Sequence, residues 1–151
     1  CRPVGRGRSC GLQAGSSHPV SFSISAKSIP LIHEMARQSG AAKYFIARKG
    51  AKAYMPDPIH VEDHSITTAG TQKLFLGRDD ADLIRGKRIL IMDDVISTGG
   101  SLKAMEALVQ EAGGVVTGKV AVLAEGDAAD RTDIKFLKKL PLFNADGTVK
   151  D

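Results

Sequence analysis

The stretch Arg88-Ile-Leu-Ile-Met-Asp-Asp-Val-Ile-Ser-Thr-Gly-Gly-Ser-Leu102 constrains this chain more than any other. Ile89 to Met92 is a short continuous apolar run, which suits a strand buried on both faces. Leu102 to Val109 repeats apolar residues at helical spacing, so the turn between them joins a strand to a helix. Gly99 and Gly100 let backbone come close to a ligand. The amides of Ser97, Thr98, Gly99, Gly100 and Ser101 fall at a helix N-terminus, where unpaired N–H groups and the helix dipole favour an anion. Asp93 and Asp94 stand where the strand ends, and ionised carboxylates, which only accept, can take hydrogen bonds from sugar hydroxyls. The combination suits a phosphorylated sugar. The plainer alternative is an ordinary strand-to-helix turn capped by Ser97 or Thr98, with two solvated acids beside it. A nucleotide-binding P-loop does not fit, because its spacing is absent and no lysine directly follows the glycines.

The same residues carry a family resemblance. An apolar run, two acids, a short spacer and Thr-Gly-Gly-Ser resemble the phosphoribosyl diphosphate (PRPP) signature of type I phosphoribosyltransferases. The resemblance implies an α/β fold, a parallel Rossmann-like sheet with an antiparallel ribbon and lid. It also implies ribose-binding roles for Asp93 and Asp94 and a 5-phosphate site at Ser97, Thr98, Gly99, Gly100 and Ser101. From Ala26 to Phe143 the organisation is most similar to the adenine phosphoribosyltransferases and their bacterial relatives. That similarity implies purine salvage: ribose 5-phosphate passes from PRPP to a purine nitrogen, adenine favoured, and diphosphate leaves. Mg²⁺ is implied as the cofactor that neutralises the leaving group, with mostly water ligands and no direct protein ligand. A homodimer in the cytoplasm is the implied setting.

Composition narrows the alternatives. At 151 residues the chain can bury one core of moderate size. Residues 1–18 are rich in Gly, Ser and Arg, start with Cys, and read as an irregular, truncated or non-native beginning; residues 19–151 read as a single domain. No apolar run approaches the ~20 residues of a membrane-spanning helix, so no membrane partner is expected. The net charge of +4 traces largely to Arg2, Arg6 and Arg8, with no acid before Glu34. With few aromatics and no basic run among them, no nucleic-acid partner is expected. Cys1 and Cys10 match no zinc or redox spacing.

In chain order, Val20 to Ser25 alternates like a strand, Pro30 opens a helix that ends at Ser39-Gly40, and Lys43 to Arg48 reads as a second strand. This is a βαβ unit. In the resembled family the turn after the first strand binds diphosphate and is typically acid-Ala-basic-Gly, and the turn after the second presents a basic residue to the same group. Lys27, Arg48 and Lys49 match the basic positions; Ser25 and Ser28 depart from the acid and the glycine, and Ser28 is costly if the loop needs a conformation that glycine alone adopts easily. Lys52 to Met55, Ile59 to Ile66 and Lys73 to Leu76 read as antiparallel ribbon, with a lid at Thr67–Thr71. His60 and His64 read as surface residues rather than metal ligands. Asp79 to Arg85 reads as a short helical turn stopped by Gly86, and Val115 to Leu123 as a long strand ending at Glu125 and Asp127, the expected base-recognition edge. Phe136, Leu140 and Phe143 read as plain core in a terminal hairpin, the alternative being that they pack on a flat aromatic ring.

The reacting base is the open point. Some 6-oxopurine transferases carry an acid two residues before the first glycine of the motif, where this chain has Ser97. Adenine-type members use a lid glutamate, and Glu62 is the nearest candidate general base here. A second reading therefore stays open: a non-catalytic PRPP-binding regulator or remnant of the family.

Overall fold

The computed structural model describes residues 20–23, 28–63 and 72–150. The start at 1–18, Ser25, Lys27, His64 and the lid at Thr67–Thr71 lie outside the described residues. Val20–Ser23 forms strand β1, followed by helix α1 over Ile29–Gln38 and strand β2 over Tyr44–Ile46. Pro30 sits in the first turn of α1, where a missing N–H costs nothing, and Ile32 and Ala36, one turn apart, are its buried face. Ile59–Asp63 (β3) and Gln72–Leu76 (β4) form a separate antiparallel ribbon. Helix α2 (Arg78–Ile84) then leads to strand β5 (Arg88–Ile96), helix α3 (Gly100–Glu111), strand β6 (Val115–Glu125), a 3₁₀ turn at Gly126–Asp130 and strand β7 (Lys135–Leu140).

The main sheet runs β2-β1-β5-β6-β7, and each neighbouring pair is parallel. From β1 the chain passes to β2 on one side and later returns to β5 on the other. This reversal opens a crevice at the carboxyl ends of β1 and β5, the usual ligand position in open parallel sheets. Ile89 and Ile91 of β5 belong to one buried cluster with Leu102, Met105 and Leu108 of α3 and with Leu74 and Leu76 of β4. The ribbon is therefore part of the core. Met92 is fully buried outside that cluster, so β5 is covered on both faces, as its unbroken apolar run requires.

Two expectations change. Lys52 to Met55 closes a turn, with the Met55 N–H donating to the Lys52 carbonyl at 2.9 Å, and is not a strand. Pro56 and Pro58 remove two backbone donors just beyond it, which stops a ladder from forming. Phe136 and Leu140 lie on β7, which pairs in parallel with β6 rather than in a hairpin. The 3₁₀ turn and the loop after it carry the chain back to the level of Val120, midway along β6, before β7 begins, so β7 runs in the same direction. Phe143 instead bridges to Val149 in a short antiparallel contact and is 54% exposed.

Candidate functional site

Strand β5 brings two acids to the crevice. It does not end at them but continues to Ile96, because Val95 and Ile96 still pair with Leu123 and Ala124 of β6. Asp93 is only 7% exposed. Its Oδ1 accepts the Asp94 N–H at 2.9 Å and lies 3.2 Å from Ser28 Oγ, which is also 3.3 Å from Asp94 Oδ1. Burial, then the adjoining Asp94 carboxyl, pushes the Asp93 pKa up to about 6. Burial pushes Asp94 the same way, but hydrogen bonds from Asp93, from its own amide and from Ser28 outweigh it and hold Asp94 below the ordinary carboxylate value. The two carboxylates are coupled, so of the pair it is Asp93 that takes up a proton first as pH falls.

Beside the acids a cavity of about 100 Å³ is lined by Asp93, Val95, Ile96, Ser97, Thr98, Gly99, Ser101 and Leu102. Gly99 is the N-cap of α3 at φ +82° and ψ 3°, a left-handed conformation that glycine adopts without penalty. Its carbonyl accepts the Lys103 N–H at 3.0 Å, which starts the helix. Gly100 and Ser101 open the first turn, where amides have no partner inside the helix and the dipole is positive. One corner of the crevice thus joins two acids to an anion cradle.

The side of this cradle is closed by a residue that no local motif announces. A side chain at Gly99 would place its Cβ 2.5 Å from Arg131 Nη1, so the Arg131 guanidinium lies directly against the turn. Arg131 is held there by Asp133, which accepts from Nε at 2.9 Å and Nη2 at 2.7 Å. Lys119 of β6 binds the same carboxylate at 2.6 Å and also pairs with Glu106 of α3. Ser28 was visible in the sequence, but as a departure from a pattern. Its backbone, at φ −81° and ψ −8°, is right-handed, a conformation that serine adopts without strain.

The other expected residues are more dispersed. Arg48 and Lys49 follow β2, with β1 between them and β5. The Arg48 N–H and C=O exchange bonds with Phe75 at 2.9 and 2.7 Å, which fastens the ribbon to this edge of the sheet. Glu125 ends β6 next to β5, and Asp127 follows it, exposed, in the 3₁₀ turn. Glu62 stands opposite Lys73 across the ribbon and is ion-paired with it. The His60 ring stacks on Phe75, with centroids 5.4 Å apart. Among the described residues no group of three or more His, Cys, Asp or Glu side chains could hold a metal ion.

Comparison with known proteins matches this architecture. The phosphoribosyl transferase domain model matches residues 12–147. The chain belongs to the phosphoribosyl transferase domain family. It is 40% identical over 99 residues to an adenine phosphoribosyltransferase of Corynebacterium jeikeium, covering 66% of this chain and 45% of the relative. A hypoxanthine/guanine phosphoribosyltransferase of Methanocella paludicola is 37% identical over 83 residues, covering 55% of this chain and 40% of the relative. This phosphoribosyl transferase domain thus spans less than half the length of these two relatives. The crystal structure of an adenine phosphoribosyltransferase from Thermoanaerobacter pseudethanolicus superposes with a TM-score of 0.68 at 23% identity, over 84% of this chain and 73% of that one. The shared architecture is the type I phosphoribosyltransferase fold.

Proposed function

We propose that this phosphoribosyl transferase domain moves ribose 5-phosphate from PRPP to a purine base, adenine favoured, and releases diphosphate. The observation that carries the reading is the single cavity lined by both the buried acid Asp93 and the left-handed turn at Gly99, at the reversal point of a parallel sheet. Phosphate suits the amides of Ser97 to Ser101, and the carboxylates of Asp93 and Asp94 suit ribose hydroxyls. Those carboxylates also lie where positive charge would develop on the sugar ring during transfer. Lys27, four residues beyond Ser23 in the sequence, and Arg48 and Lys49, just beyond β2, are assigned to the diphosphate. Glu125 and Asp127, at the end of β6, are assigned to the base. No general base is assigned beyond Glu62, whose pairing with Lys73 weighs against it.

The carboxylates of Asp93 and Asp94 offer oxygen acceptors at this corner, which fits a magnesium ion that would arrive with the substrate and keep mostly water ligands. When bound, Mg²⁺ would neutralise the leaving diphosphate. The chain's own residues hold the sugar and its phosphate still while that bond breaks.

The test is to incubate the protein with Mg²⁺, PRPP and each of adenine, hypoxanthine, guanine and xanthine, and to separate the products by chromatography. AMP formed from adenine supports the reading as stated, and a nucleotide formed only from a 6-oxopurine changes the base but not the reaction. PRPP binding without any nucleotide makes the chain a sensor, and absence of PRPP binding refutes the site.

A further inference from the structure

Ser28 occupies the N-cap position of α1, yet its hydroxyl makes no bond to that helix. Serine is favoured at N-caps because its oxygen accepts the helix's first amides. Here the side chain is fully buried at 0% exposure and spent elsewhere, 3.2 Å from Asp93 Oδ1 and 3.3 Å from Asp94 Oδ1. The contact spans 65 residues of sequence and crosses the crevice between the first strand's turn and β5.

Successive residues of a strand point to opposite faces, so Asp93 and Asp94 have no reason of their own to present oxygens to one ligand. Both nevertheless reach the same hydroxyl. That hydroxyl owns one proton and can donate to one carboxylate at a time. The second contact is satisfied when a proton on one acid donates back to Oγ, so hydroxyl and acids act as a set of three. The chemistry is that of a sugar hydroxyl placed between two carboxylates.

Resting on the assignment of these acids to the ribose, we infer that Ser28 is a positioning residue for both, its hydroxyl holding the two carboxylates in the arrangement that accepts the ribose diol. Serine in place of glycine is then a working part of the site. Ser28→Ala and Ser28→Gly remove the hydroxyl without adding bulk, and Ser28→Thr keeps it.

The experiment is calorimetric titration of each folded variant with ribose 5-phosphate, with PRPP and with inorganic phosphate, which engages the cradle but not the acids. Loss of one charge-assisted hydrogen bond predicts a roughly tenfold or greater drop in affinity for the two ribose ligands in the Ala and Gly variants. Inorganic phosphate should bind unchanged, and Thr should restore affinity to within about threefold of the parent. If threonine's extra methyl prevents folding, the Ala and Gly variants decide. Parental ribose 5-phosphate affinity in Ser28→Ala would overturn the proposal alone, as would an equal loss for all three ligands, which marks a general disturbance of the crevice. A parent protein that binds phosphate but gains nothing from the ribose would overturn the ribose assignment and the proposal with it.

Discussion

Replacing Asp93 with asparagine should stabilise the free protein at neutral pH while weakening its hold on PRPP. Asp93 is buried at 7% exposure, and its pKa rises from the ordinary 3.8 to about 6, first through burial and then through Asp94. A carboxyl with a raised folded pKa binds its proton more tightly folded than unfolded. Its unfavourable effect is therefore absent below about pH 4, grows as pH rises, and is complete above about pH 6. A gap of that size corresponds to roughly 3 kcal/mol, of which the opposite shift of Asp94 returns part. Asparagine keeps the shape, still accepts the Asp94 N–H and the Ser28 hydroxyl, and carries no charge to desolvate. Urea unfolding should then show Asp93→Asn about 1–2 kcal/mol more stable than the parent at pH 8, with the difference closing by pH 4. PRPP affinity at pH 8 should fall by about 1.5 kcal/mol or more, because a charged acceptor is lost from the ribose. A variant less stable than the parent at pH 8, or equally favoured at pH 4 and pH 8, would refute the account of a buried pair whose first proton goes to Asp93.

Two further outcomes test the frame around the site. Gly114→Ala would put a Cβ 2.6 Å from Ile84 Cγ2 and 3.0 Å from Val109 Cγ1, and should cost about 1–3 kcal/mol in denaturant unfolding; an unchanged midpoint would mean that the α3-to-β6 turn is loosely packed. Asp133 is held below the ordinary carboxylate value by Arg131 and then Lys119, so its favourable contribution is present at neutral pH and lost on acidification. Because the pair is partly exposed, Asp133→Asn should cost under ~1 kcal/mol at pH 7 and progressively less as pH falls below the ordinary carboxylate value, and a cost that grows toward low pH would contradict the pairing.

The parts legible in the sequence are the local ones. The run from Ile89 to Ser101 carries its strand, turn and helix start in contiguous residues, and Asp93, Ser97, Thr98, Gly99 and Ser101 duly line one cavity. What was not legible depends on the sheet. The mixed polar and apolar run Lys135 to Leu140 says nothing of direction, so nothing in it tells a parallel edge strand from the return arm of a hairpin. Ser28 meets Asp93 only because β1 and β5 are neighbours, and Arg131 meets Gly99 only because the loop before β7 folds back toward the start of α3. Residues whose roles come from such contacts have no spacing to announce them. Glu125 and Asp127 illustrate the reverse: their strand end was readable, but a strand end alone does not define a base pocket.

The contact between Arg131 and Gly99 lends itself to a double-mutant cycle. Gly99→Ala carries two separable costs. Alanine at a φ of +82° is strained by about 1–2 kcal/mol whatever its surroundings. Its methyl must also displace Arg131 Nη1, which a built Cβ approaches to 2.5 Å. The guanidinium is the far end of a flexible side chain and can move, but moving weakens its two bonds to Asp133. Arg131→Ala alone loses that partly exposed pair, worth about 0–1 kcal/mol. In the double variant the methyl meets open space and the Arg131–Asp133 pair is no longer there to be disturbed. The double variant should therefore be about 0.5–1 kcal/mol more stable than the sum of the single effects predicts, while the backbone strain persists. Denaturant unfolding of the four proteins measures the difference. Phosphate affinity adds a second reading: the strained turn should bind inorganic phosphate more weakly in both alanine-99 backgrounds, because the cradle depends on the left-handed backbone and not on Arg131. Strict additivity in stability would remove Arg131 from the wall of the turn, and parental phosphate binding by Gly99→Ala would remove the turn from the phosphate.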